Sequence, residues 1–397
     1  MAPIRVGWLS AAAYSGMFGF GIVMALLGAI LPLLVSRLHF DLSEAGGLFL
    51  AMNAAMLVTT LLLGPVLDHF GIRSTMIVAP LFVAVAVALI AGVSSSQILV
   101  LGVILLGAGG GALNQATNTL IADLHEDSRA KNAALNTLGV FFGFGALFIP
   151  FTIGSLLTSL GMRNILYCAI PLILIPTALS IALPYPAPKH AGSIRLRNVI
   201  QLASRPLVLA FACLLFFESG NEFTLGGYLS TYLTRDLQSP VTLASYALAG
   251  YWGALMIARV ILGRVLLKVG GELLIRWSAI AVACCVVALA LARGPLLAAA
   301  LEVLLGFCMA AIFPTVLGVA GTRHHGDLGT LFGILIGIAL IGGMTVPWLA
   351  GQVANQHGVR AALWIPAAGA IAILLCQLLA ERLAKKTESA TASANQS

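Results

Sequence analysis

Gly64-Pro-Val-Leu-Asp68-His-Phe-Gly71-Ile-Arg73 lies between two apolar runs, and 199 residues further on Gly263-Arg-Val-Leu-Leu267-Lys-Val-Gly270 repeats its glycine spacing in the same setting. The repeat extends outward. Leu105-Leu106-Gly107 returns as Leu304-Leu305-Gly306 at the same offset, and Pro150, Gly154, Gly161 and Arg163 return as Pro347, Gly351, Gly358 and Arg360 at an offset of 197. Matches in register across three pairs of runs mark an internal duplication.

Composition says what solvent the copies meet. Sixty per cent of the 397 residues are hydrophobic and nine per cent charged, against about 25% charged in soluble domains. A chain of this length cannot enclose so much apolar surface in one soluble core, so the surplus faces lipid. At roughly 20 residues per crossing, spans 1 to 6 are expected near 8–36, 45–64, 74–93, 97–121, 131–158 and 163–183. Spans 7 to 12 are expected near 206–235, 242–265, 271–292, 296–320, 328–352 and 359–383. The run from Trp8 to Val35 is longer than the apolar core of a cleaved signal, about 7–15 residues, so it reads as the first span. The fold class is an all-α membrane protein of twelve transmembrane helices in two six-helix bundles, 1–183 and 206–386, related by an axis along the membrane normal. The linker 184–205 carries Pro184, Pro186 and Pro188 and an amphipathic piece at Arg195-Leu-Arg197. The polar tail 387–397 is expected to be disordered.

A net charge of +7 could signal nucleic acid, so the placement of the cations decides. Of the 21 Lys and Arg residues, fifteen fall on the side of the threading that holds both termini and the linker. Five, Arg37, Arg163, Arg235, Arg293 and Arg360, fall on the other, and Arg259 lies within a span. That bias predicts cytoplasmic termini in a bacterial inner membrane. The basic balance then serves topology and anionic lipid, and no nucleic-acid partner is expected. The six cysteines all fall inside spans without metal-ligand spacing, and read as apolar filler. The seven histidines fall in loops or at span ends. Gly107, Gly109, Gly110 and Gly111 lack the Lys-Ser/Thr of a phosphate loop and suit close helix packing. With no Ser/His/Asp, Cys/His or metal constellation, neither an enzyme nor a cofactor or metal site is expected.

The Gly64–Arg73 segment resembles the signature of the major facilitator superfamily between spans 2 and 3. The resemblance covers the whole chain and implies a transporter working by alternating access. It also implies that Asp68 and Arg73 take part in a cytoplasmic gate. His69 replaces the usual Arg after the Asp, and Leu267 replaces the acid in the second copy. Glu218-Ser-Gly-Asn-Glu222 in span 7, Asn114-Gln-Ala-Thr-Asn118 in span 4 and Leu135-Asn136 in span 5 are similar to the fucose/galactose/glucose–proton symporter branch. That similarity implies a monosaccharide substrate, a proton partner and Glu222 as the span 7 acid. The branch's acids in spans 1 and 4 are Gly28 and Asn114 here.

Charges inside the bilayer cost at least about 2.5–3.5 kcal/mol at mid-membrane. Glu218 and Glu222 are four apart, so they share one face of span 7; both read as proton-coupling groups. Glu302, near the start of span 10, reads as an interfacial charge. Asn114, Gln115 and Asn118, with Asn221, Glu222 and Trp252, are the candidate solute contacts, since amides match the mixed donors and acceptors of sugar hydroxyls. Interhelical glue is the competing reading, and the one favoured for Asn53 and Asn136. Packing competes for Trp252. Arg259 is expected at the inner gate.

Three functions stay open. The first is proton-linked sugar uptake by a monomer. The second is export of drugs or amphipathic metabolites, although Ile149 stands where an exporter's span 5 carries Gly before Pro150. The third is a facilitator that is uncoupled or uses sodium.

Overall fold

The computed structural model describes residues 3–38, 40–125, 127–185, 196–323 and 328–394, almost all of them helical. Lipid offers no hydrogen bonds to a backbone, so each apolar run satisfies its own as a helix. Local caps set several starts. Asp41 accepts from the Glu44 N–H at 2.7 Å while the Glu44 carboxylate accepts from the Asp41 N–H, a capping box that opens span 2. Ser95 and Asp127 cap spans 4 and 5, and Pro206 and Pro295 occupy the first turns of spans 7 and 10.

Span 1 is Pro3–Leu38, span 4 Ser96–Leu124, span 7 Pro206–Arg235, span 8 Val241–Val269, span 9 Gly271–Leu291 and span 11 Leu328–His357. Spans 2 and 3 share the segment Leu42–Ala91, turned at Gly71. Spans 5 and 6 share Ser128–Ile173, turned at Gly161 and completed by Ile175–Ala182. Span 10 is Pro295–Met309 followed by Ile312–Arg323, and span 12 is Val359–Ala362 followed by Trp364–Ala394. The helix runs past Lys386, where the sequence reading starts a polar tail, to Ala394; residues 395–397 lie outside the described residues.

By length and hydropathy alone the described residues hold 11 membrane-length stretches, one of them the 50 residues Ala133–Ala182. A straight helix of that length would run about 75 Å, more than twice the hydrocarbon core. Gly161, at φ 71° and ψ 157°, divides it into spans 5 and 6, which gives twelve crossings among the described residues.

The duplication has a structural counterpart. Among the described residues the positive-φ glycines are Gly71, Gly161, Gly270 and Gly358, the very positions paired by the sequence repeat. In each half they reverse the chain with a backbone conformation that a Cβ would strain. Packing repeats as well. Gly107 leaves no room for a Cβ against the carbonyl of Met52, and Gly306 none against that of Tyr251, a pair of contacts 199 residues apart. Span 5 lies on span 1 and span 11 on span 7, through Gly145 against Phe18 and Gly342 against Phe216.

The halves meet along span 2 with span 11 and span 5 with span 8, contacts that exchange under the pseudo-twofold axis. With twelve crossings, the start of span 1 at Pro3 and the end of span 12 at Ala394 fall at one end of the bundle, called here the terminal end. The opposite, far end is closed. There Ser43 donates to Gln352 at 2.8 Å, Asn355 to Asp41 at 3.3 Å, and Ser155 and Tyr246 share a hydrogen bond at 3.0 Å. Gly28 of span 1 lies directly on the Gly226 carbonyl of span 7, and Gly46 on Trp348.

A candidate solute and charge site at mid-membrane

Span 7 is almost wholly buried between Val208 and Leu233. Glu222 lies 13 residues from its far end, about 20 Å deep at 1.5 Å per residue. Its carboxylate pairs with Arg259 of span 8 at 3.8 Å, and the two side chains are 11% and 26% exposed. The guanidinium also stands over the Phe142 ring, 5.6 Å from its centroid, so Arg259 connects a second-half acid to a first-half aromatic. This moves Arg259 from the inner gate, where the sequence reading puts it, to the charged pair. The physical reason is that two opposite charges in a membrane are cheapest together. Glu218, one turn toward the terminal end, is fully buried, and neither of its oxygens has a partner.

Trp252 is 1% exposed and its indole N–H is unpartnered. Its ring meets Phe142 edge-on with centroids 6.1 Å apart and lies against Gly226. In this far-closed state it is therefore packed at the junction of the halves, with no face open to a solute. Tyr251 stacks edge-on to Trp252 at 5.2 Å and donates to the Met309 sulfur at 3.6 Å.

The span 4 amides form a different group. Asn118 donates to the Asn114 carbonyl oxygen at 2.8 Å and to its side-chain oxygen at 3.1 Å, and both residues are half-buried. Gln115 is half-buried with its side-chain oxygen unpartnered. Free amide capacity on a partly open face suits a polyhydroxyl solute. Asn53 is fully buried, donates to the Phe49 carbonyl of its own span at 3.0 Å and leaves its side-chain oxygen unpartnered; Asn136 is exposed. Asn221 is not brought to either group. It donates to the Pro366 carbonyl at 3.0 Å and presses on Gly369, both in span 12, because it sits a quarter-turn away from the Glu222 face.

At the terminal end Arg73 donates to the carbonyls of Ser180 and Ile181, at 3.1 and 2.8 Å, and so holds the end of span 6 within its own half. The side chain of Asp68 lies outside the described residues. In the second half Arg323 of span 10 pairs with Glu272 of span 9, and Arg276 with Glu381 of span 12 at 3.3 Å. Among the described residues no group of three or more His, Cys, Asp or Glu could hold a metal ion.

Sequence reasoning undervalued two residues. Glu302 is fully buried rather than interfacial, and Tyr251 was not singled out. The offset of 199 could have flagged Tyr251, since it pairs with Met52 and takes the same place against Gly306 that Met52 takes against Gly107.

A family model described as the Major Facilitator Superfamily matches residues 13–323 and 211–396. Among curated proteins, the yeast "Bypass of stop codon protein 6" is 23% identical over 62% of this chain and 54% of its own length. A "Putative glucose/galactose transporter" of Helicobacter pylori J99 is 25% identical over 36% of this chain and 34% of its own. The chain thus spans about half, or less, of the curated relatives it matches. Among solved structures, a D-xylose–proton symporter superposes with a TM-score of 0.78 at 15% identity, covering 95% of this chain and 97% of that one. The E. coli fucose–proton symporter gives 0.65 at 18% identity, with 94% and 98% covered. At these identities the structures establish a shared fold.

Proposed function

The chain belongs to the major facilitator superfamily and is an integral membrane protein; from that premise we propose that it is a secondary active transporter that takes up a monosaccharide together with protons by alternating access. The observation that carries this reading is the Glu222–Arg259 pair, a partly hydrated ion pair at mid-depth that reaches the other half through Phe142. Protonating Glu222 cancels that attraction, so proton binding changes how the halves hold together. Glu218, one turn away and unpartnered, is the second proton-carrying group. The solute contacts are Asn114, Gln115 and Asn118 in the first half, with Trp252 offering its ring once the far end opens. The Helicobacter relative and the fucose and xylose symporters carry sugars in their names, and amide-rich contacts suit that class. Asp68, Arg73 and the Arg323–Glu272 pair belong to the closing machinery of the terminal end. The terminal end faces the cytoplasm of a bacterium, supported by the fifteen-to-five cation bias, and the protein works as a monomer.

The reading is tested by melting the purified protein with D-glucose, D-galactose, L-fucose and D-xylose, each with and without sodium. A ligand at 100 times its Kd adds about 2.7 kcal/mol of apparent stability, so a true solute raises the melting point, sodium or not. A panel in which no sugar stabilises, or only sodium-loaded protein responds, overturns the sugar–proton assignment.

A further inference from the structure

The turn between spans 8 and 9 borders a cavity that the transport reading leaves unused. It measures about 570 Å³ and lies at the terminal end, between the start of span 9 and the end of span 10. That volume falls in the range of small-ligand sites, about 300–1,000 Å³. Gly270, Gly271, Glu272, Arg276, Thr322 and Arg323 line it. Span 9 starts there without a side-chain cap, so the N–H groups of its first turn have no acceptor within the helix. Two guanidiniums against one carboxylate leave the lining one positive charge, and the helix start adds about half a charge. Arg323 donates through both Nε and Nη2 to a single oxygen, Oε1 of Glu272. Arg276 is held more loosely. Its Nε lies 3.3 Å from Oε1 of Glu381 outside hydrogen-bond geometry, and that oxygen already accepts from Gln377 at 3.0 Å. The Arg276 side chain stays 37% exposed.

Arg276 is also foreign to the repeat. The matching first-half position, 199 residues earlier, is Ile77, so building the turn does not need this cation. One wall of the cavity borders lipid. Leu273 lines it, and Leu273 and Trp277, one turn apart, are 38% and 62% exposed; a Trp so near a helix end marks the membrane interface. We propose that this cavity binds a phosphate group, carried by an anionic phospholipid head or by a soluble phosphate. Arginines hold phosphate through charge-assisted hydrogen bonds, and an open helix start adds N–H donors. Basic pockets between spans are where lipid heads dock. The phosphate competes with Glu272 for Arg323, so its occupancy acts on the contact between spans 9 and 10 at the terminal end. The inference rests on the fold, not on the identity of the solute or the coupling ion.

The test melts purified, delipidated protein in detergent over a titration of each probe. The probes are phosphatidylglycerol, diacylglycerol with the same acyl chains, and inorganic phosphate against chloride at equal ionic strength. Phosphatidylglycerol, inorganic phosphate or both are expected to raise the melting point with a saturating midpoint, and diacylglycerol is not. Thr322→Phe fills the cavity and leaves both ion pairs in place, while Arg276→Gln removes the added cation. Each is expected to move the midpoint to about tenfold higher concentration, and either one suffices if the other does not fold. A response to phosphatidylglycerol alone identifies a lipid head; a response to inorganic phosphate, alone or as well, identifies a soluble phosphate. No response to either, diacylglycerol acting as strongly as phosphatidylglycerol, or midpoints unchanged in the folded variants overturns the proposal. Because no sugar is present, a failed sugar assignment leaves this result untouched.

Discussion

Replacing Arg259 with Met removes the cation and keeps most of the stem's volume, so its effect isolates the charge. At 3.8 Å and an effective dielectric constant near 20, the gross attraction to Glu222 is about 4 kcal/mol. The two side chains keep 26% and 11% of their exposure, and water takes back part of that. Breaking the pair should thus cost about 2–3 kcal/mol, below the 3–5 seen for fully buried pairs. Glu222→Gln should cost less, since Arg259 is the better hydrated partner and retains Phe142. The double variant should be no worse than Arg259→Met, because the stranded carboxylate is gone. A coupling of about 1–2 kcal/mol is expected from the cycle. At about 2–4 °C per kcal/mol for units the size of each half, Arg259→Met should melt about 5–10 °C below the parent in detergent. If the double variant shows the sum of the two single losses, the residues do not interact and the site is misassigned.

Other substitutions separate the remaining roles. Asn118→Leu should abolish sugar-dependent stabilisation while leaving the yield of monodisperse protein nearly unchanged; normal sugar binding in that variant counts against the span 4 site. Glu218→Gln exchanges a fully buried side chain for its near-isostere and should leave the yield of folded protein nearly unchanged while weakening uphill sugar accumulation; undiminished accumulation would count against Glu218 as a proton-carrying group. Gly28→Val places a branched side chain on the Gly226 carbonyl, an overpacking cost of about 1–3 kcal/mol borne by the far-closed state. Thiol labelling of Ser43→Cys should accelerate in that variant, and unchanged labelling would mean that the far end does not close through Gly28.

How much of this was legible in the residues depends on what each one touches. Helix number and duplication were, because lipid forces every apolar run into a helix and the turn glycines cannot be exchanged for other residues without strain. The resemblance to a transporter family rested on the same segment and was correct. The charges were harder. Glu222 and Arg259 are 37 positions apart on different spans, so no local pattern links them, and only packing of span 8 on span 7 brings them within 3.8 Å. Asn221 adjoins Glu222 in sequence, yet its side chain leaves the helix toward Pro366. Glu302 looked interfacial because depth was counted along its own span, while the neighbours that bury it come from spans 7, 8 and 9.

The central claim, proton-driven sugar transport through span 7, is tested most directly in proteoliposomes loaded at neutral pH and diluted into acidic medium with labelled D-galactose or L-fucose, using whichever sugar stabilises the purified protein. The parent should concentrate the sugar above the external level and lose that ability when a protonophore collapses the gradient. Glu222→Gln should exchange sugar across the membrane at equal concentrations yet accumulate none. Uphill accumulation by Glu222→Gln, or a parent whose uptake ignores the pH gradient, would contradict it.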